Sequence, residues 1–182
     1  MIRKIFISWI AAISLIFFST QAFALINFSV GVPLSHTMTG KNNNGTDAES
    51  DGVSGYFIQV GIPILPGIGM DSYKTGLKGK PGEEAVDLET SIYNLYYLLP
   101  IPVINLTLGV GVGSTKMVCS YCDQNFDKGS ATQMYASLGF PIIPLFDLHL
   151  SYRSVSSKVQ IKSGGEHDFG GNVMGLGIGF NF

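Results

Sequence analysis

From residue 25 onward, apolar side chains recur at every second position, and that period builds strands rather than helices. Ile26, Phe28, Val30, Val32 and Leu34 alternate with Asn27, Ser29, Gly31, Pro33 and Ser35, which places one set on each face of an extended chain. The alternation returns in Tyr56, Ile58, Val60, Ile62 and Ile64, and in Ile104, Leu106, Leu108, Val110 and Val112. Three more segments repeat it: Met134 to Phe140, Phe146 to Tyr152, and the closing set Met174, Leu176, Ile178, Phe180 and Phe182. Weaker segments at 68–74 and 86–97 bring the expected number of strands to about eight.

Bulk composition narrows what such strands can form. Charged residues are 13 % of the 182, about half the share in an ordinary soluble domain. A net charge of −2 gives no basic footprint for nucleic acid, so that partner is not expected. At the N-terminus, Arg3 and Lys4 precede an apolar run over 5–18, then Ser19, Thr20, Gln21 and Ala22-Phe23-Ala24. This order predicts a cleavable signal peptide over 1–24 and a mature domain over 25–182. Elsewhere the sequence lacks the ~18 unbroken apolar residues of a spanning helix.

Connections alternate as well. Short joints fall at 65–67, 98–103 and 141–144, and long polar ones at 38–54, 75–85, 115–130 and 155–169. A soluble sandwich would carry charges along its outer faces. Here the non-apolar faces are Gly, Ser, Thr and Asn, which suits a narrow shared interior. The expected fold is all-β: an eight-stranded antiparallel up-and-down transmembrane β-barrel, apolar face to lipid, short turns at one end and long loops at the other.

With these features the sequence resembles the small eight-stranded outer-membrane barrels, the group of OmpA and OmpX. The resemblance rests on the signal peptide ending in Ala22-Phe23-Ala24, the alternating strands, the connection rhythm and the last strand with its terminal Phe182. It implies an integral protein of a Gram-negative outer membrane, in contact with lipopolysaccharide and phospholipid, with loops open to a host or surface ligand. It also implies that Phe182, in one row with Phe180, is read by the barrel-assembly machinery. No cofactor is implied.

Eight strands enclose little more than their own side chains. Tyr93, Tyr97 and Tyr135 are expected inside, accommodated by glycines such as Gly109 and Gly179. Over 86–97, Val86, Leu88, Thr90 and Ile92 are assigned to lipid, with Asp87, Glu89, Ser91 and Tyr93 inward. That register leaves Asn94 toward lipid unless a bulge intervenes. The lumen charges are then Asp71, Asp87, Glu89, Asp147, His149 and Arg153, and since a buried charge needs a partner, Glu89 is predicted to pair with Arg153. A packed polar lumen with exposed loops favours a non-enzymatic structural or surface-contact role, with a small-solute pore or carrier as the alternative.

Three motifs suggest chemistry. Lipid A deacylases of this barrel size use a His-x-Ser with a later acid, and His149-Leu150-Ser151 with Glu166 has that order. The strand period turns His149 and Ser151 inward, away from an acyl chain, and Tyr152 stands where that family has asparagine. Cys119 and Cys122 read as a disulfide in an exported loop. A zinc site would need His36 and His167 as well, and no metal is expected. The spacing Gly175-Leu176-Gly177-Ile178-Gly179 opens no helix, so it is not a dinucleotide fingerprint.

Overall fold

The computed structural model describes residues 26–40, 48–79, 85–101, 104–143 and 145–182. The expected signal peptide lies outside them. Eight long strands form the wall: β1 (Asn27–Met38), β2 (Ser50–Gly61), β3 (Gly67–Leu77), β4 (Val86–Ile101), β5 (Ile104–Val118), β7 (Gly129–Ile143), β8 (Phe146–Ile161) and β10 (Gly171–Asn181). Each pairs antiparallel with the next, and β10 returns to β1, so the sheet closes without a free edge. A short helix α1 (Cys122–Asn125) and two short strands, β6 (Phe126–Asp127) and β9 (Glu166–Asp168), build a small platform on the upper end of β8.

Strands extend further than the alternation predicted on the long-loop side, and the reason lies in β8. Up to Tyr152 its outward residues are Phe146, Leu148, Leu150 and Tyr152, while Asp147, His149, Ser151 and Arg153 point in. Above that level Ser154, Ser156, Lys158 and Gln160 face out, and Val155 and Val159 are buried. β4 inverts at a matching place: Tyr93, Leu95 and Tyr97 face out below, whereas Asp87, Glu89 and Ser91 face out above, with Leu88 and Ile92 inside. The lower barrel is therefore apolar outside and polar inside, as lipid requires. The upper barrel is polar outside and mainly apolar inside, as water requires, with the His36–Thr75 and Thr90–Thr115 pairs hydrogen-bonded within it. An alternation that changes sign midway cannot be extended by a single rule.

This inversion overturns the expected register of 86–97. Leu88 and Ile92 are 2 % and 0 % exposed, while Tyr93 is 65 % exposed. Asn94 points inward without a bulge, and so do Thr90 and Tyr96. Tyr93 and Tyr97 are lipid-side residues, Ser91 faces out, and Tyr96 is the ring that enters the lumen. Asp87 and Glu89 lie outside, where Asp87 meets Lys74 at 2.7 Å and Glu89 meets Lys116 at 2.8 Å. Such exposed pairs contribute little to stability, but they fit the water-facing upper wall.

Local geometry explains two other departures. β2 stops at Gly61, and Leu65 N–H bonds to the Ile62 carbonyl across a tight turn whose Ile64 has φ of 76°, so Ile62 and Ile64 belong to the short turn. In β1 a bulge between Pro33 and Ser35 leaves Leu34 outside and turns His36 into the barrel. His36 is thus a wall residue bonded to Thr75 at 2.9 Å, not a loop ligand.

Candidate functional site

The candidate site is the lumen, and it contains two polar layers under an apolar one. Nearest the short turns, Asn27 donates to Asn181 at 2.7 Å. Asn181 and Asn105 both donate to one Asp147 oxygen, at 2.7 and 2.5 Å. Every strand that supplies these residues carries apolar neighbours on its lipid side, so the alternation itself delivers the amides to the interior.

At mid-height the layer centres on Arg153 and Asp71, which lie on opposite walls and are 2 % and 0 % exposed. Arg153 Nε donates to Asp71 Oδ2 at 2.9 Å, and Gln133 Nε2 reaches the same oxygen at 2.5 Å. Gln133 also donates to Asn94 Oδ1 at 2.6 Å. The guanidinium lies 3.5 Å from the Phe57 ring centroid and 5.0 Å from that of Tyr135, a cation–π sandwich. Tyr135 is held in turn by Gln59, which donates to its hydroxyl at 2.7 Å and accepts from Ser29 at 3.2 Å. Glycine makes room: a Cβ on Gly109 would collide with the Tyr135 ring, and one on Gly179 with His149.

Over this layer sit Phe57, Tyr73, Ile92, Ala131, Val155 and Val173. A second apolar group, with Leu88, Val159 and Phe169 at its heart, closes the long-loop end. The space left among Ser29, Gln59, Ser137, His149, Ser151 and Arg153 is about 20 Å³, roughly enough for one water.

The predicted site residues divide accordingly. Arg153, Asp71, Asp147 and His149 are in the lumen. Glu89 is not, and the expected Glu89–Arg153 pair does not form: Glu89 belongs to the outer wall and Asp71 takes its place. Sequence reasoning missed Gln59, Asn94, Asn105 and Gln133, whose amides bond the charged and aromatic groups within each layer. Their signal was parity: Gln59, Asn94 and Gln133 share a face with an inward charge on a neighbouring strand, and Asn105 shares one with Thr107 on its own.

His149, Ser151 and Glu166 are not brought together. Ser151 donates to the Gly175 carbonyl at 3.2 Å and accepts from Arg153. His149 lies 3.4 Å from Ser137 and 3.9 Å from Asp147. Glu166 is on the exposed platform with Lys158, at 3.1 Å. Cys119 and Cys122 are bonded to each other. His167 packs between Phe126 and Phe169. Among the described residues no group of three or more His, Cys, Asp or Glu is placed to hold a metal. Phe180 packs between Phe28 and Phe146, and Phe182 exchanges two backbone hydrogen bonds with Ile26 at 2.9 Å.

Because the disulfide closes so short a loop, it constrains the unfolded chain little. Replacing both Cys119 and Cys122 with serine should lower the unfolding free energy by no more than about 2 kcal/mol, read from urea titration of the folded barrel in detergent. The local effect should be larger, as faster proteolysis of the α1 platform.

No protein-family model and no curated protein matches the chain. Solved structures do. Neisserial surface protein A superposes with a TM-score of 0.64 at 11 % identity, over 86 % of this chain and 97 % of that one. OprG from Pseudomonas aeruginosa gives 0.53 at 11 %, over 87 % and 96 %. Ail of Yersinia pestis, solved with the heparin analogue sucrose octasulfate, gives 0.51 at 17 %, over 86 % and 99 %. At these identities the likeness concerns architecture alone, and with the closed ring of eight strands it identifies the fold as that of the small eight-stranded outer-membrane β-barrels.

Proposed function

We propose that the protein is an integral outer-membrane barrel of a Gram-negative bacterium that forms neither a through-pore nor an enzyme, and that acts through the surface it holds above the bilayer. The observation that carries this reading is the filled lumen. Arg153, Asp71, Gln133 and Tyr135 occupy its middle, and two apolar groups fill its upper end. A hydrated solute would have to break a buried ion pair and then cross an apolar plug, and each step is costly. The location is supported by the belt of exposed aliphatic residues, which water would not tolerate over so large an area.

Two alternatives fare worse on the same geometry. A pore needs an open path, and the space among Ser29, Gln59, Ser137, His149, Ser151 and Arg153 holds about one water. A hydrolase built on His149 and Ser151 needs an accessible nucleophile, and both residues are buried among lumen partners. Contact with lipopolysaccharide and phospholipid, insertion by the barrel-assembly machinery through Phe180 and Phe182, and a surface ligand at the loops are parts of the same proposal.

Planar-bilayer recording of the refolded protein tests it. The expected result is a baseline without steady channel events. Sustained single-channel currents would replace the closed barrel with the small-solute pore.

A further inference from the structure

The lipid-side wall is not uniform. Between β4, β5 and β7 it carries a groove of about 430 Å³, a volume within the ~300–1,000 Å³ typical of ligand clefts. Its sides are Leu95, Tyr97, Leu108, Val110 and Met134, all outward-facing and exposed. Its floor is the backbone at Gly109, backed by the inward rings of Tyr96 and Tyr135. The missing Cβ at Gly109 lets the Tyr135 ring lie directly against the strand, so the wall is one backbone thick there.

Position decides what can lie in such a groove. It begins at Pro66, beside the short turn after β2, and climbs obliquely across β4 and β5 to Met134. Met134 is the uppermost apolar outward residue of β7, since Thr132 and Ser130 follow it toward the loops. A ligand entering at the short-turn rim therefore keeps a polar end near that rim and lays an apolar tail up the belt. Short turns belong to the periplasmic side in this fold. A polar solute finds few partners in the lining, because apart from the Tyr97 hydroxyl the groove sides carry only aliphatic and Met surface.

We propose that this groove holds one acyl chain of a phospholipid from the periplasmic leaflet, retained by the barrel more firmly than the surrounding bilayer lipid. The proposal rests on the outer-membrane reading above and adds a specific lipid site to it. The groove wall is the recognition element: Leu108 and Val110 flank the chain, and Leu95 and Met134 cover it on either side.

The test is native mass spectrometry of the full barrel, extracted from membranes in mild detergent. Val110→Trp fills the groove from the lipid side. Ile178→Trp, on the belt away from the groove, is the control. Wild type and Ile178→Trp should each retain one phospholipid, and Val110→Trp should retain about tenfold less, the effect of losing roughly one side chain's worth of apolar contact. Equal retention in all three overturns the site, as does a retained lipid of the lipopolysaccharide type. Heat-dependent gel mobility shows whether each variant folds, and Leu108→Trp serves as a second groove-filling variant if Val110→Trp does not. A wild-type chain that fails to enter vesicles overturns the membrane reading and the site with it. A chain that enters but carries no phospholipid overturns only the site.

Discussion

Replacing Arg153 with alanine should destabilise the barrel by about 3–5 kcal/mol, the usual cost of removing one member of a buried ion pair. Asp71 is fully buried, and without the guanidinium its charge keeps only the amide of Gln133. The same change empties the space against Phe57 and Tyr135 where the guanidinium stacks. Arg153→Lys should recover only part of the loss, because an ammonium lacks the planar fork that bonds Asp71 and Ser151 while lying on a ring. Replacing both partners, with Asp71→Leu and Arg153→Met, should come within about 1–2 kcal/mol of wild type, since the desolvation cost of both charges is removed together. Urea unfolding of the refolded barrel, followed by gel mobility or circular dichroism, measures all three. A single Arg153→Ala variant as stable as wild type would mean that Asp71 is not desolvated and that the lumen is wetter than its packing implies.

Where that pair lies also shows what the sequence could and could not convey. The faces of β1, β5, β7, β8 and β10 were legible because lipid imposes aliphatic residues on one side and the narrow lumen imposes Gly, Asn, Ser or Thr on the other. β4 was not, because Leu88 and Ile92 line the apolar upper lumen while Tyr93, Leu95 and Tyr97 face lipid, so both faces are apolar at different heights. Assigning β4 by its apolar residues sent Glu89 inward and produced the wrong partner for Arg153. A cross-strand argument would have corrected it. Lys74 and Lys116 face outward on the two neighbouring strands and sit directly opposite Glu89, and opposite charges at paired positions stabilise a sheet. The Arg153–Asp71 pair itself required the closed ring, since the two residues are 82 apart in sequence and meet only across the lumen. The groove at Gly109 was beyond sequence reasoning for a similar reason: it depends on Tyr135 crossing behind a glycine on the next strand.

The inversion between lower and upper barrel makes a second large effect predictable, at a residue that surface exposure alone would call tolerant. Leu176 is 39 % exposed, and on a water-washed sheet its replacement by arginine would change stability by no more than about 0.5 kcal/mol. Here it stands between Met174 and Ile178 on its own strand and opposite Val32 and Leu150 on the adjoining ones. That row is aliphatic on every side, as the mid-height of a lipid-facing belt should be. Leu176→Arg should therefore cost about 2–4 kcal/mol in lipid vesicles, the penalty for a cation near the bilayer midplane of a barrel. Ser156→Arg provides the contrast. It is an outward position on β8 above the inversion, two residues from Lys158, and the same change there should fall within about 0.5 kcal/mol of wild type. Side-by-side urea titrations in vesicles decide it. Equal stability of the two variants would remove the lipid boundary from the level where the side chains change sign, and the upper barrel would have to be in the bilayer with the rest.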